Sequence, residues 1–597
     1  MKLSRLLLIS AVAISLTSCD DLFEPALENN QDISQMYKDP QFARGILDNA
    51  YLALPYANSP VTDVATDDAV TNNNSDNYKK MATGSWDANM NPVSQWDGRY
   101  HAIQYCNLML ENCDKVQWSY STPVLNQMYC DNYKGNAYAL RGLHLFYLLR
   151  AHAGMVDGQL MGVPIHLASE TASSDFNLPR NTFKECIEQI MSDFDEALKY
   201  LPAQYGDVDE DKVPAKYAQE GASNAEYNRA FGDNHRGKID GRIISAFKAQ
   251  VAIMAASPAY ASAGTFTYED AAKLAADCLK NFGGLSACDP DGWKWFDNKS
   301  LIDGLGATAD NPKEIIWRGN IDENNSLETE NYPSTLYGKG RVNPTQNLVD
   351  AFPMANGYPI TDTNSGYNAN DPYADRDPRL KAYILVNGDK IGSTDGVVNS
   401  AADSKTTDGL NKENGKSTKT GYYLRKLLRS DINLNPNSTT KQKHLNARIR
   451  STEILLDYAE AANEAQGPKA NVGGANYSAY DVIKAIRERA GIGEFGEDPY
   501  LEECAQSKEK MRELIRNERR LELCFENHRF WDLRRWKANL NEAAKGINIT
   551  TDEATGAFVY KTFDAEERKY DDYMFYGPIP YSEILKYSNL KQNEGWK

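Results

Sequence analysis

The chain has 597 residues and a net charge of −18, with 41% apolar residues and 10% aromatics. The acidic balance argues against nucleic acid as a partner, because a protein that tracks phosphates needs a basic footprint. The apolar content is ample for a large core, and 35 tyrosines against 18 phenylalanines suit polar surfaces lined with rings.

Lys2 and Arg5 form a short basic segment, and residues 6–16 are a mostly apolar run, too short to span a bilayer. Leu16-Thr17-Ser18-Cys19 completes a bacterial lipobox pattern. The three parts in order predict a signal peptide over 1–18 and acylation (palmitate-type chains) of Cys19, with enough chains for stable anchoring. The other cysteines, at 106, 113, 130, 186, 278, 288, 504 and 524, contain no Cys-x-x-Cys and support no zinc site. Their pairing stays open.

Apolar residues recur at helical spacing over 41–54, 102–113, 127–151, 183–201, 241–257 and 268–280, and again over 450–464, 480–490 and 508–526. Leu201-Pro202 stops one helix, and alanines mark the 241–257 run. Paired helices with alanine at their crossings point to tetratricopeptide-like units. Residues 282–445 differ: Gly, Asn, Asp and Pro are common and helical pattern is sparse. That region is expected to be loops, short strands and short helices laid over a helical scaffold.

The most unusual run is 511–537, MRELIRNERRLELCFENHRFWDLRRWK, in which 13 of 27 residues are charged around Phe530, Trp531 and Trp536. Glu518 and Glu522 fall on or beside the apolar stripe of its first half. A carboxylate there needs an arginine partner. Arg516, Arg519, Arg520, Arg529, Arg534 and Arg535 are the nearby candidates, so the run is expected to be a partly buried ion-pair network that closes a helical domain. A solvated charged helix is the plainer alternative.

This run closely resembles the C-terminal signature of the SusD/RagB family, nutrient-binding outer-membrane lipoproteins of Bacteroidetes. Arg516-Asn517-Glu518-Arg519, Glu522, Glu526, Arg529, Asp532, Arg535 and Trp536 match it. Cys524 and Asn527 depart from it, and asparagine is the best substitute for the usual glycine if the residue after Glu526 is left-handed. Further matches are Ser94-Gln95-Trp96-Asp97, Asn311-Pro312-Lys313-Glu314, Arg376-Asp377-Pro378-Arg379-Leu380 and Gln592-Asn593-x-Gly595-Trp596, so the resemblance covers nearly the whole mature chain. It implies a mainly α fold, an α-α superhelix of tetratricopeptide-like repeats with a large irregular region. It also implies an N-terminal part over 19–236 and a C-terminal part over 237–597 that form one unit. Asp20, Asp21 and Glu24 after Cys19 resemble the export signal of surface-exposed lipoproteins in that phylum.

Catalytic patterns were sought. There is no Gly-x-Ser-x-Gly elbow, no phosphate-cradling loop and no His-Glu-x-x-His. Asp207-x-Asp209-x-Asp211 opens like a calcium loop but has Lys212 at its sixth position and Ala218 at its twelfth. Neither an enzyme nor a metal or cofactor is expected. Binding remains: rings stack on sugar faces while amides and charged groups bond the hydroxyls. Two loop-like stretches offer both. One is 66–96, with Asp67, Trp86 and Asn89. The other is 319–341, with Tyr332, Tyr337, Lys339 and Arg341. Trp96 is assigned to packing, and Trp293 and Trp295 are alternatives. The resemblance implies a surface-exposed lipoprotein that binds an oligosaccharide and delivers it to a SusC-like TonB-dependent transporter, which supplies the energy. An interaction scaffold without its own glycan site, or a peptide binder, is the competing expectation.

Overall fold

The computed structural model describes residues 33–493 and 497–597. The expected signal peptide and Cys19 lie outside the described residues. The long helices are α1 (Pro40–Leu52), α2 (Trp96–Asn112), α3 (Pro123–His152), α4 (Phe183–Tyr200), α5 (Gly241–Ala256), α6 (Tyr268–Lys280), α7 (Ser451–Gln466), α8 (Ala479–Arg489), α9 (Lys508–Glu522) and α10 (Arg529–Arg535). Most begin where the sequence places a short polar side chain. Asp39, Thr122, Thr182, Asp240, Thr267, Ser478 and Ser507 each accept a hydrogen bond from the first turn they precede. Glu185, Asp270 and Asp481 complete capping boxes.

The helices stack in sequence: α1 on α2, α2 on α3, α3 on α4, α4 on α5, α5 on α6, α6 on α7, and α7 on both α8 and α9. Small residues allow close crossings. A Cβ added at Gly135 of α3 would meet Leu201 Cγ at 2.6 Å. Ala271, Ala272, Ala275 and Ala276 of α6 are all buried. The result is the helical-repeat architecture expected, with one continuous core.

The stack is interrupted between α6 and α7, where the irregular region is inserted. It is more than a covering. Trp295, Phe296, Leu348, Phe352, Tyr383 and Tyr422 belong to a second core, and Tyr332, Leu385, Ile391 and Tyr423 to a further one. Short antiparallel pairs tie it to distant segments: Ala69–Thr71 with Val342–Pro344, Ile315–Arg318 with Ala447–Arg450, and Asp322–Asn324 with Gln442–His444. Strand Ala447–Arg450 runs directly into α7, which places Arg450 at the corner between region and stack. A hairpin, Ala544–Thr551 with Phe558–Glu566, follows α10. The eight described cysteines are free, and Cys113 and Cys130 stand 3.1 Å apart sulfur to sulfur.

Candidate functional site

The run 511–537 forms α9, a turn and α10, and its charges meet partners from across the chain. Glu518 and Glu522 are fully buried. Their partners are not the arginines of their own run but those of the surrounding elements. Arg379 Nη1 lies 2.5 Å from Glu518 and 3.0 Å from Glu522, and its Nη2 lies 2.8 Å from Asp377. Arg489 donates to Glu522 at 2.8 Å, and Arg450 reaches Glu314 at 2.7 Å and Glu526 at 2.8 Å. Burial alone would raise the Glu522 carboxyl, but Arg489, Arg379 and Arg450 hold it down at about 2. The run's own arginines turn elsewhere. Arg519 bridges Asp457 and Asp532, and Arg535 bridges Asp532 and Glu460, with Trp536 Nε1 donating to Glu460. Burial opposes it, yet Arg519 and Arg535 keep Asp532 near 2. Asp532 and Arg535 pair three residues apart on α10, whereas the buried face of α9 is answered by the elements that pack on it.

Arg529 and Arg520 reach forward to Asp67, at 2.8 and 2.9 Å, and Arg520 also to Asp68 at 2.6 Å. That corrects the first expected ligand residue. Asp67 is buried, and although burial raises it, Arg520 and Arg529 hold it well below the usual carboxylate range. Trp86 is corrected too. It is 4% exposed, its Nε1 donates to Asn91, and its ring packs 4.8 Å from Trp596. Tyr332 is 1% exposed inside the irregular region's core, with its hydroxyl donating to the Arg429 carbonyl. Each is covered by chain hundreds of residues away or by a core that its own neighbours do not announce. Asn89, Tyr337 and Lys339 are exposed, and Lys339 pairs with Glu330 at 2.5 Å. Trp96 is packed, 5.3 Å from the His152 ring.

Arg341 is the expected residue that faces a cavity. A cleft of about 410 Å³ opens where helical stack and irregular region meet. Loop 57–64 forms one side, 320–331 and Arg341 another, and 444–447 with 525–527 close the end. Both expected stretches therefore contribute, the first through Thr71, Asn73 and Asp76. Trp295, Leu427, Leu445 and Phe525 give it apolar wall; Asn320, Asp322, Asn324, Glu330, Arg341 and Asn446 give it polar groups. Arg341 Nη1 donates to Asn72 Oδ1 at 3.1 Å and to the Gly415 carbonyl at 3.2 Å, with Glu330 3.4 Å from its Nε. The Trp295 indole N–H is buried without a partner. His444 Nε2 lies 3.0 Å from Glu328. Amides, carboxylates and a fixed guanidinium over an apolar floor suit a polyhydroxylated ligand.

Asn527 is placed by the same geometry. Its φ is +64°, the left-handed value expected, though α9 ends four residues before Glu526. The side chain adds what glycine cannot: Oδ1 accepts from Thr62 N–H at 2.9 Å and Nδ2 donates to the Ser59 carbonyl at 3.0 Å. It fixes loop 57–64, which lines both the cleft and a second cavity of about 220 Å³. The two share Ala57, Val61, Ala447, Glu526 and Asn527 as lining. Tyr56, Tyr147, Arg150, Arg448, Glu453 and Trp531 face the smaller one.

Two family models match this sequence. One, described as the SusD family, covers residues 313–596; the other, described as starch-binding and associating with outer membrane, covers residues 27–222. The chain belongs to the SusD/RagB family. A SusD-like protein from Bacteroides fragilis NCTC 9343 matches its structure with a TM-score of 0.70 at 22% identity, over 96% of this chain and 100% of the other. A SusD-like carbohydrate binding protein from the same strain gives 0.66 at 19% identity, over 93% and 100%. SusD-like protein P2 of Formosa agariphila is 30% identical over 145 residues, so the match spans 24% of this chain and 24% of that curated relative's length. The structural likeness establishes the SusD fold, and the 511–537 network is the part of that fold that joins stack, inserted region and N-terminal loop.

Proposed function

We propose that this SusD-family chain is a lipid-anchored outer-membrane lipoprotein that captures a nutrient oligosaccharide on the outer face of the cell and passes it to a SusC-like TonB-dependent transporter. The observation that carries the reading is the larger cleft, with Arg341 and a set of asparagines over apolar wall at the junction of stack and inserted region. The family description that names starch binding and the outer membrane supports it, as does the carbohydrate-binding name of a structural neighbour.

Titration calorimetry on protein lacking residues 1–19, against a panel of oligosaccharides and peptides, tests the ligand. One glycan class is expected to bind. Arg341→Ala and Asn446→Ala should each weaken it about tenfold, a change of about 1.4 kcal/mol, with melting temperature preserved. A panel without any glycan binder, or variants that bind like the parent, would contradict the reading. For the anchor, Cys19→Ala should move the protein from the membrane to the soluble fraction. Unchanged fractionation and acyl labelling would remove the lipobox from the account.

A further inference from the structure

Most buried arginines of the 511–537 run are answered by carboxylates; Arg534 instead lies 3.5 Å from the Phe530 ring centre and donates to the Phe530 carbonyl. The half-buried Arg150 and Arg448, which line the smaller cavity, and the buried Arg99 near Tyr56 and Tyr147 are not answered by carboxylates. The side chains of Arg99, Arg150 and Arg448 make no hydrogen bond or ion pair among the described residues, and the Nε of each is sealed from solvent without a partner. All three act electrostatically on the same two phenols, Tyr56 and Tyr147, whose hydroxyls are 2.8 Å apart. The Arg150 guanidinium stands 4.4 Å from the Trp531 ring centre and 4.8 Å from Tyr147; that of Arg448 stands 4.6 Å from Trp317 and 5.1 Å from Tyr56. Ring faces soften the burial of a cation but do not neutralise it. Burial lowers the proton affinity of all three, Arg99 to about 10.

The acids on the cavity wall do not supply the missing charge. Asp457 and Asp532 are held by Arg519, Asp532 also by Arg535, and Glu526 by Arg450 and Lys426. Glu453 accepts from Gln250 at 2.8 Å and has no arginine within ion-pair distance. Burial and Asp457 push the Glu453 carboxyl up to about 8, and burial and Arg519 hold His528 down to about 3. Among the described residues, five arginines line this cavity against four carboxylates (Glu453, Asp457, Glu526 and Asp532), in a chain of net charge −18.

We propose that the smaller cavity is an oxyanion subsite, which takes the carboxylate or sulfate of an acidic sugar unit while the rest of the oligosaccharide lies in the larger cleft. Arg150 and Arg448 face the cavity with guanidinium forks that fit either oxyanion. The cavity has room for one ring-sized group and adjoins the cleft along Ala57, Val61 and Asn527. Both guanidiniums are half-buried and lack a carboxylate partner, and a ligand anion in the cavity would supply one. The sugar portion of this proposal rests on the glycan-capture reading; the oxyanion portion does not.

The test is calorimetry on the mature protein with a neutral oligosaccharide, its uronate-bearing and sulfated counterparts, and free glucuronate and sulfate. At least one acidic counterpart should bind about tenfold more tightly than the neutral one, and which of them does so identifies the oxyanion. Arg150→Gln and Arg448→Gln should each erase that preference and leave the neutral affinity in place. Arg516→Gln, at an arginine stacked on Trp536 outside both cavities, should change neither. Should a glutamine variant fail to fold, Arg150→Lys keeps the charge but loses the fork, and a reduced preference is expected. Equal affinity for acidic and neutral sugars, or a preference that survives Arg150→Gln, overturns the subsite and leaves glycan capture standing. Free glucuronate or sulfate binding to the parent but not to the variants, with no oligosaccharide bound, supports the subsite and overturns capture.

Discussion

Charge is buried in two ways in this molecule. Around Glu518 and Glu522 every carboxylate sits within 4 Å of a guanidinium, and the guanidiniums come from elements as distant as Arg379 and Arg489. Around Tyr56 and Tyr147, the half-buried guanidiniums of Arg150 and Arg448 lie against rings with no carboxylate bonded. The first arrangement spends its charge on joining the stack to the inserted region. The second is incomplete, and its charge remains available to something from outside. A buried arginine is thus informative through its partners more than through its burial.

The contrast breaks most visibly at Arg379. Arg379→Ala leaves Asp377, Glu518 and Glu522 short of a cation they share at full burial, and should cost about 4 kcal/mol or more in denaturant unfolding. A loss below about 1 kcal/mol would mean that the network carries little stability. Acid tests the same region. Glu522 is held at about 2, below its unfolded value near 4.5, so its contribution is full above that value and is lost as pH falls toward 2. The size is on the order of 3 kcal/mol. Glu522→Gln should flatten the acid limb of a melting-temperature profile, and an unchanged limb would count against it. At the other region the sign reverses. Arg150→Gln removes a cation with no partner and should raise the stability of the free protein by about 1 kcal/mol; a comparable loss would show that Arg150 is already answered. The smallest effect belongs to the exposed Lys339–Glu330 pair. Lys339→Ala should change unfolding by less than about 0.5 kcal/mol, which calibrates the other three.

The helical stack was readable in the sequence because its signals are local. Thr182 with Glu185, Thr267 with Asp270, and Leu201-Pro202 mark ends within a turn of the residues they control. The network was readable in kind but not in pairing, since Arg379 and Glu518 are 139 positions apart. Burial of Trp86 was not readable: polar neighbours suggest exposure, while Trp596 and Tyr570 return from the far end of the chain to cover it. Tyr332 misled for the same reason. The cores of the inserted region depend on pairings such as Ala69 with Pro344, which no periodicity reveals. Of the residues and stretches singled out in the sequence, Arg341 and parts of both stretches line the cleft. Trp295 stood among the alternatives, whereas Asn446 and the 57–64 loop needed the fold, and the Arg150–Arg448 cavity carried no signal, because its residues come from α3 and from a strand almost 300 positions later.

Hydrogen–deuterium exchange on the mature protein, with and without a saturating oligosaccharide found by calorimetry, tests the central claim most directly. The account predicts slowed exchange in segments 57–63, 320–331 and 444–447, which line the cleft, and no change around Asn89 or Tyr337. Protection centred on Asn89 and Tyr337, with the cleft segments unaffected, would contradict it.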